Sequence, residues 1–155
     1  MKSSTFLIVA IILGIAQVTC INYFSIFQIK PDLFLLIVFI AALFFELRFA
    51  FIVAVLTGIF KASFGMGAVG IDILLFSLWS FLIIKITRKI SIDDSLTRVL
   101  LFLVIALLQN ISTGVILIYL GNSIPFGIFL RIVLLSSLYT AIFLPFVLKL
   151  AKAKI

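Results

Sequence analysis

The sequence predicts an all-α polytopic membrane protein, a compact bundle of six transmembrane helices with five as the alternative count. Three observations carry this. Hydrophobic residues make up 66% of the 155 residues, where a soluble domain has about 45–50%, and the mean hydropathy is +1.51. Charged residues make up only 11%, against about 25% in a soluble domain. Charged and turn-forming residues divide the chain into six apolar stretches, at 5–24, 31–46, 48–62, 70–87, 97–119 and 126–149. So short a chain has no core that could bury this much Phe, Leu and Ile, so the bilayer is the solvent for most side chains. Residues 1–155 read as a single transmembrane domain, with no room for a soluble domain of even about 50 residues.

The first stretch looks like a signal peptide, with Lys2 ahead of an apolar run from Phe6 to Ala16. Cys20 would then mark a lipoprotein cleavage site, but Gln17 and Thr19 suit that processing poorly. More spans follow, so the segment is expected to stay as the first helix. The second stretch opens on Pro31-Asp32. Proline is tolerated in the first helical turn, and an acidic residue there complements the helix dipole.

Only Glu46-Leu47-Arg48 separates the second and third stretches. Merged, they would form a helix of about 28 residues and about 42 Å, longer than a hydrocarbon core of about 30 Å. The merger would also place Glu46 and Arg48 in hydrocarbon, at about 2.5 kcal/mol or more for a central charge. A tight turn is therefore expected, and it gives six spans rather than five. Between the third and fourth stretches, Lys61 to Gly70 is the most irregular segment, with Gly65, Gly67 and Gly70 permitting unusual backbone. It is expected to form a loop that dips partly into the protein. Ser91–Ser95, with Asp93 and Asp94, reads as a cytoplasmic turn, and Asn122-Ser123-Ile124-Pro125 as an outer turn.

The net charge of +7 follows topology. With six spans and the N-terminus inside, the inner side holds Lys2, Arg48, Lys85, Arg88, Lys89, Arg98, Lys149, Lys152 and Lys154. The outer side holds Lys30 and Lys61, with Arg131 just inside the sixth span. This obeys the positive-inside rule and predicts both termini on the cytoplasmic side. Lipid headgroups, not nucleic acid, are the expected anionic partners, because no basic and aromatic polar face is present.

Four groups of residues stand out as candidate sites. Ala50, Ala54, Gly58 and Ala62 recur every four residues and form a small-residue ridge, suited to close helix packing or to a partner's helix. Gln109 and Asn110, with Ser112 and Thr113, sit near the middle of the fifth stretch. Amides in hydrocarbon need bonds across helices, or else they line a polar cavity. Gln109 and Thr113 share a helix face. Asp72, Lys61 and Arg131 fall near the outer ends of their spans and could meet as an ion-pair cluster. A structural ion pair is expected over a transport site, since all three can snorkel outward.

Enzyme chemistry has no visible foothold. The chain has no His and a single Cys, so a metal cluster or a disulfide cannot be drawn. No phosphate-binding loop or nucleophile elbow is present. The 18 Phe residues read as lipid-facing and packing side chains. No cofactor is expected.

The stretch Pro31 to Ile86 resembles the bacterial rod-shape-determining MreD family. The resemblance rests on Pro31-Asp32-Leu33, Glu46-Leu47-Arg48, Ala54-Val55-Leu56-Thr57-Gly58-Ile59 and Val69-Gly70-Ile71. Ser137-Leu138-Tyr139-Thr140-Ala141, then Leu144-Pro145 and a basic tail, extend it to the C-terminus. The chain departs from that pattern at Ala62, where the family often has an acidic residue, and at Asp72, where Asn is frequent. The resemblance implies a non-catalytic membrane scaffold of the cell-wall elongation machinery, in the bacterial inner membrane. The implied partners are the periplasmic scaffold MreC, the MreB filament, RodA and its transpeptidase. The pattern is also similar to the substrate-binding subunits of energy-coupling-factor vitamin transporters, which supply the alternative function.

Overall fold

The computed structural model describes residues 3–19, 23, 28–64, 69–90 and 92–152. Lys2, Cys20, Gly65, Gly67, Ser91 and Lys154, which entered the topological reading, lie outside the described residues, as does the side chain of Lys152. Six helices are described: α1 Ser3–Thr19, α2 Leu33–Phe44, α3 Leu47–Ser63, α4 Val69–Lys89, α5 Ser95–Tyr119 and α6 Phe126–Lys152. Three segments are long and apolar enough to cross a membrane: Gly70–Lys89, Ser95–Tyr119 and Phe126–Leu150.

α2 is the axis of the bundle. Every residue from Leu33 to Ala42 is buried, as expected of a helix that is apolar all round. It packs against α1, α3, α4 and α6. Its 12 residues rise only about 18 Å. Two hairpins flank it: α3 with α4, the most extensive pairing, and α5 with α6. Phe39 and Phe102 pack edge to face across α2 and α5, with centroids 4.9 Å apart. Phe6, Phe45 and Phe49 close the end where α2 meets α3.

The joints follow from local chemistry. Phe45 and Glu46 are extended, at φ −124° and −70°, so α2 and α3 are separate helices and the merged helix of the five-span alternative does not form. Both Glu46 and Arg48 are exposed, which removes the penalty that merger would impose. α5 ends in a Schellman motif. The Asn122 N–H donates to Leu117 O and the Gly121 N–H to Ile118 O, with Gly121 at φ +96°. That motif turns the chain into α6.

Two expectations are corrected. Pro31 and Asp32 are not in the first helical turn. Helix α2 begins at Leu33, Asp32 is its N-cap, and Pro31 precedes the cap. The break between the third and fourth stretches is shorter than Lys61–Gly70. Lys61 belongs to the last turn of α3 and Gly70 to the first turn of α4, because the helical pattern continues on both sides.

The outer surface is as apolar as the interior. α5 exposes Leu100, Val104, Leu108, Ile111, Val115 and Ile118, while its other face buries Phe102, Ile105 and Ala106. α6 exposes Leu130, Leu134, Leu138, Ile142 and Phe146 in the same way. A water-soluble protein rarely presents such continuous apolar surface. Lipid is the solvent that suits it.

Candidate functional site

Polar side chains from α1, α3 and α6 converge on the N-terminus of α2. A helix start leaves backbone N–H groups without intrahelical partners, and here that end is enclosed by the bundle. Each exposed donor would be costly in an apolar setting. Side chains from three elements meet the need. The Asp32 N–H donates to Thr140 Oγ1 of α6 at 3.0 Å. The Leu33 N–H donates to Gln17 Oε1 of α1 at 2.9 Å. The Leu35 N–H donates to Asp32 Oδ1 at 3.2 Å, a side-chain cap. Ser136 of α6 adds a long bond to the Lys30 carbonyl at 3.4 Å.

Lys61 joins the two hairpin helices to the same point. Its Nζ donates to Asp32 Oδ2 at 2.7 Å and lies 3.1 Å from Asp72 Oδ1 of α4. The second contact is off the hydrogen-bonding direction, since Asp72 Oδ1 accepts no hydrogen bond, so it is coulombic. The Nζ also lies 5.1 Å from the centroid of the Phe76 ring, within cation–π reach. Side-chain exposures are 12% for Lys61, 15% for Asp32 and 2% for Asp72. Charges this deep persist only when paired. One ammonium therefore serves two carboxylates, tying α2, α3 and α4 together.

This arrangement differs from the cluster expected of Asp72, Lys61 and Arg131. Lys61 and Asp72 meet, but the third member is Asp32, and the salt bridges of both carboxylates are to Lys61 and not to Arg131, which is exposed on α6. Nor does Lys61 snorkel outward. It bends inward because two carboxylates wait there.

A second network links α4, α5 and α6. The Trp79 Nε1–H donates to Gln109 Oε1 at 2.6 Å, and Gln109 Nε2 donates to Thr113 Oγ1 at 3.3 Å. Asn110 Nδ2 donates to Ser137 Oγ at 2.9 Å, and Ser137 Oγ donates to the Val133 carbonyl at 2.7 Å. Gln109 is buried at 1% exposure. The two amides are thus spent on helix-to-helix bonds and on their own helix. Trp79 was not singled out from sequence. The signal was there, since a buried indole needs an acceptor for its N–H.

The ridge on α3 meets α4 at Gly58. Ala50, Ala54 and Gly58 are buried, and Ala62 is half-buried. A Cβ built on Gly58 would lie 2.9 Å from Ile73 Cα, so the backbones approach as closely as glycine allows. Gly70, by contrast, has open space where a Cβ would point. Tyr139 packs against Phe143, with ring centroids 5.5 Å apart. Pro145 lies inside α6 and is exposed, and its missing N–H frees the Ala141 carbonyl from the helix ladder.

An apolar groove of about 450 Å³ runs between α1, α2 and α3, with Ala10, Gly14, Phe34, Val53, Leu56 and Phe60 in its lining. Among the described residues no group of three or more His, Cys, Asp or Glu side chains could hold a metal ion. No protein-family model matches the chain, and no curated protein or solved structure matches it either.

Proposed function

We propose that the chain is a non-catalytic membrane scaffold of the cell-wall elongation machinery, acting like the MreD family it resembles. On this reading it binds an MreC-like scaffold and links MreB, RodA and the transpeptidase to side-wall growth. The observation that supports it is the use made of intramembrane polar groups. Gln109 and Asn110 hydrogen-bond within the bundle, and Lys61 and Asp72 are paired there by charge. A substrate-binding subunit needs convergent polar groups left open at a cavity mouth. The outer segment between α5 and α6, Leu120–Pro125, is too short to serve as a lid.

On this reading all six helices cross the inner membrane, with both termini in the cytoplasm. α1 and α3 have 17 residues each and α2 has 12, short for a core of about 30 Å. α2 is shielded by its neighbours, so lipid thickness does not set its length. We assign partner contact to the groove between α1, α2 and α3. It is apolar, it opens to the bilayer side, and Gly14 leaves a gap in its wall. A single-span helix is the occupant this reading requires.

The test is purification of the full chain in mild detergent, with analysis of what accompanies it. Stoichiometric recovery of a single-span membrane protein supports the scaffold. A stoichiometric vitamin, lost on changing Gln109 or Arg131, overturns it in favour of the energy-coupling-factor alternative.

A further inference from the structure

At the end of the α3–α4 hairpin remote from Lys61 lies a second groove, shallow and apolar. Phe51 and Ile52 of α3 and Leu78 and Phe81 of α4 wall it. These four are 48–56% exposed, so they face the bilayer rather than the core. Arg48 belongs to the same lining, one turn before Phe51 and Ile52. Lys85, one turn beyond Phe81, holds its Nζ 5.9 Å from the centroid of the Phe81 ring. One cation thus lines the apolar groove and a second stands over an aromatic ring of its wall.

Neither cation is neutralised there. The salt bridges among the described residues are those of Lys61. Glu46, two residues before Arg48, is exposed and pairs with neither. Arg88 and Lys89 in the last turn of α4 add positive charge at the same end.

We propose that this groove binds an anionic phospholipid. The acyl chain lies along Phe51, Ile52 and Leu78, and the phosphate sits between Arg48 and Lys85. A guanidinium fork matches phosphate oxygens bidentately, and the ammonium acts as a second point charge. Basic pockets between membrane helices on the cytoplasmic side are suited to such headgroups, and the positive-inside rule assigns this end to that side. A zwitterionic lipid would fill the groove but leave the two cations without net compensation. Free phosphate would meet the cations but leave the groove empty. The inference depends on the membrane setting and not on the scaffold function.

The experiment follows thermal unfolding of the detergent-purified full chain through Trp79 fluorescence. Phosphatidylglycerol, phosphatidylcholine with the same acyl chains, and inorganic phosphate are titrated separately. Phosphatidylglycerol is expected to raise the unfolding temperature saturably, and the other two are not. R48Q/K85Q is expected to weaken the apparent affinity by about tenfold to thirtyfold. R88Q/K89Q removes equal charge from the same end and is expected to stay within about twofold. Equal loss in both variants would mean diffuse attraction and overturn the site. So would inorganic phosphate matching the lipid, or no response to phosphatidylglycerol. If R48Q/K85Q does not fold, the lipid carried by the wild-type protein from the membrane decides. Enrichment in anionic species over the bulk membrane supports the site, and bulk composition overturns it.

Discussion

Lys61 is the residue on which most of the bundle's polar structure turns. In sequence it looks like an outer basic residue free to snorkel. In the fold it is the cation between Asp32 and Asp72. Removing one partner of a buried pair leaves uncompensated charge and costs about 3–5 kcal/mol. Lys61→Met should therefore lower the unfolding temperature sharply in detergent. The triple variant Lys61→Met, Asp32→Asn, Asp72→Asn should regain part of the loss, because no charge is then stranded. A triple variant no more stable than Lys61→Met would remove the electrostatic explanation. Gln109 calls for a gentler test. Gln109→Leu strands the Trp79 indole N–H and should destabilise by about 0.6–2 kcal/mol, read from thermal unfolding. An unchanged midpoint would mean that the Trp79–Gln109 bond contributes nothing net. Gln109 and Asn110 were legible in sequence because amides in hydrocarbon demand partners. Which partners they take was not, since Trp79 and Ser137 lie 30 and 27 residues away.

At the scale of elements, small residues decide how closely helices approach. The four-residue spacing on α3 announces a ridge, and the structure sets its Gly58 against Ile73 of α4. Gly58→Leu should disrupt the hairpin, because even a Cβ would meet Ile73 backbone at 2.9 Å. Ile59→Leu should be tolerated, since Ile59 is 44% exposed. Equal loss of folded yield for the two would show that the ridge is not special. Gly14 on α1 supplies the complementary test. A Cβ there meets nothing within 4 Å, so Gly14→Leu should leave thermal stability nearly unchanged. It should still reduce co-purification of a single-span partner if the α1–α3 groove seats one. Unchanged recovery would move the partner elsewhere. The turn at Glu46 was legible because charge and helix length argued together. The start of α2 was read two residues early, at Pro31 rather than Leu33, because Asp suits both a cap and a first turn.

For the whole molecule, the testable quantity is topology. Reporter fusions at Ser3 and Ile155 should both report the cytoplasm, given where Arg48, Lys85, Arg88, Lys89, Arg98 and Lys149 fall along the chain. An external N-terminus would rule out six spans. The basic residues and the anionic-lipid groove then lie on the same side of the membrane. The buried Asp32–Lys61–Asp72 cluster lies toward the other side, since Gly58 pairs with Ile73 between the two ends of the antiparallel hairpin. On the proposed topology the bundle is polarised, with a basic rim on the inner side and the Lys61 ion-pair cluster toward the outer side.

By itself the sequence determined the apolar solvent, the helical class, the break at Glu46 and the need of Gln109 and Asn110 for polar partners. Those follow from local composition, because hydropathy, charge and turn chemistry act over one helix at a time. Only the tertiary structure decided that α2 is the enclosed axis, that Asp32 rather than Arg131 completes the cluster with Lys61, and that the α3 ridge meets α4 at Gly58. In a chain whose surface and core are equally apolar, hydrophobicity does not tell a helix which face to bury. Packing shape and a few buried polar bonds make that choice, and they act between residues far apart in sequence.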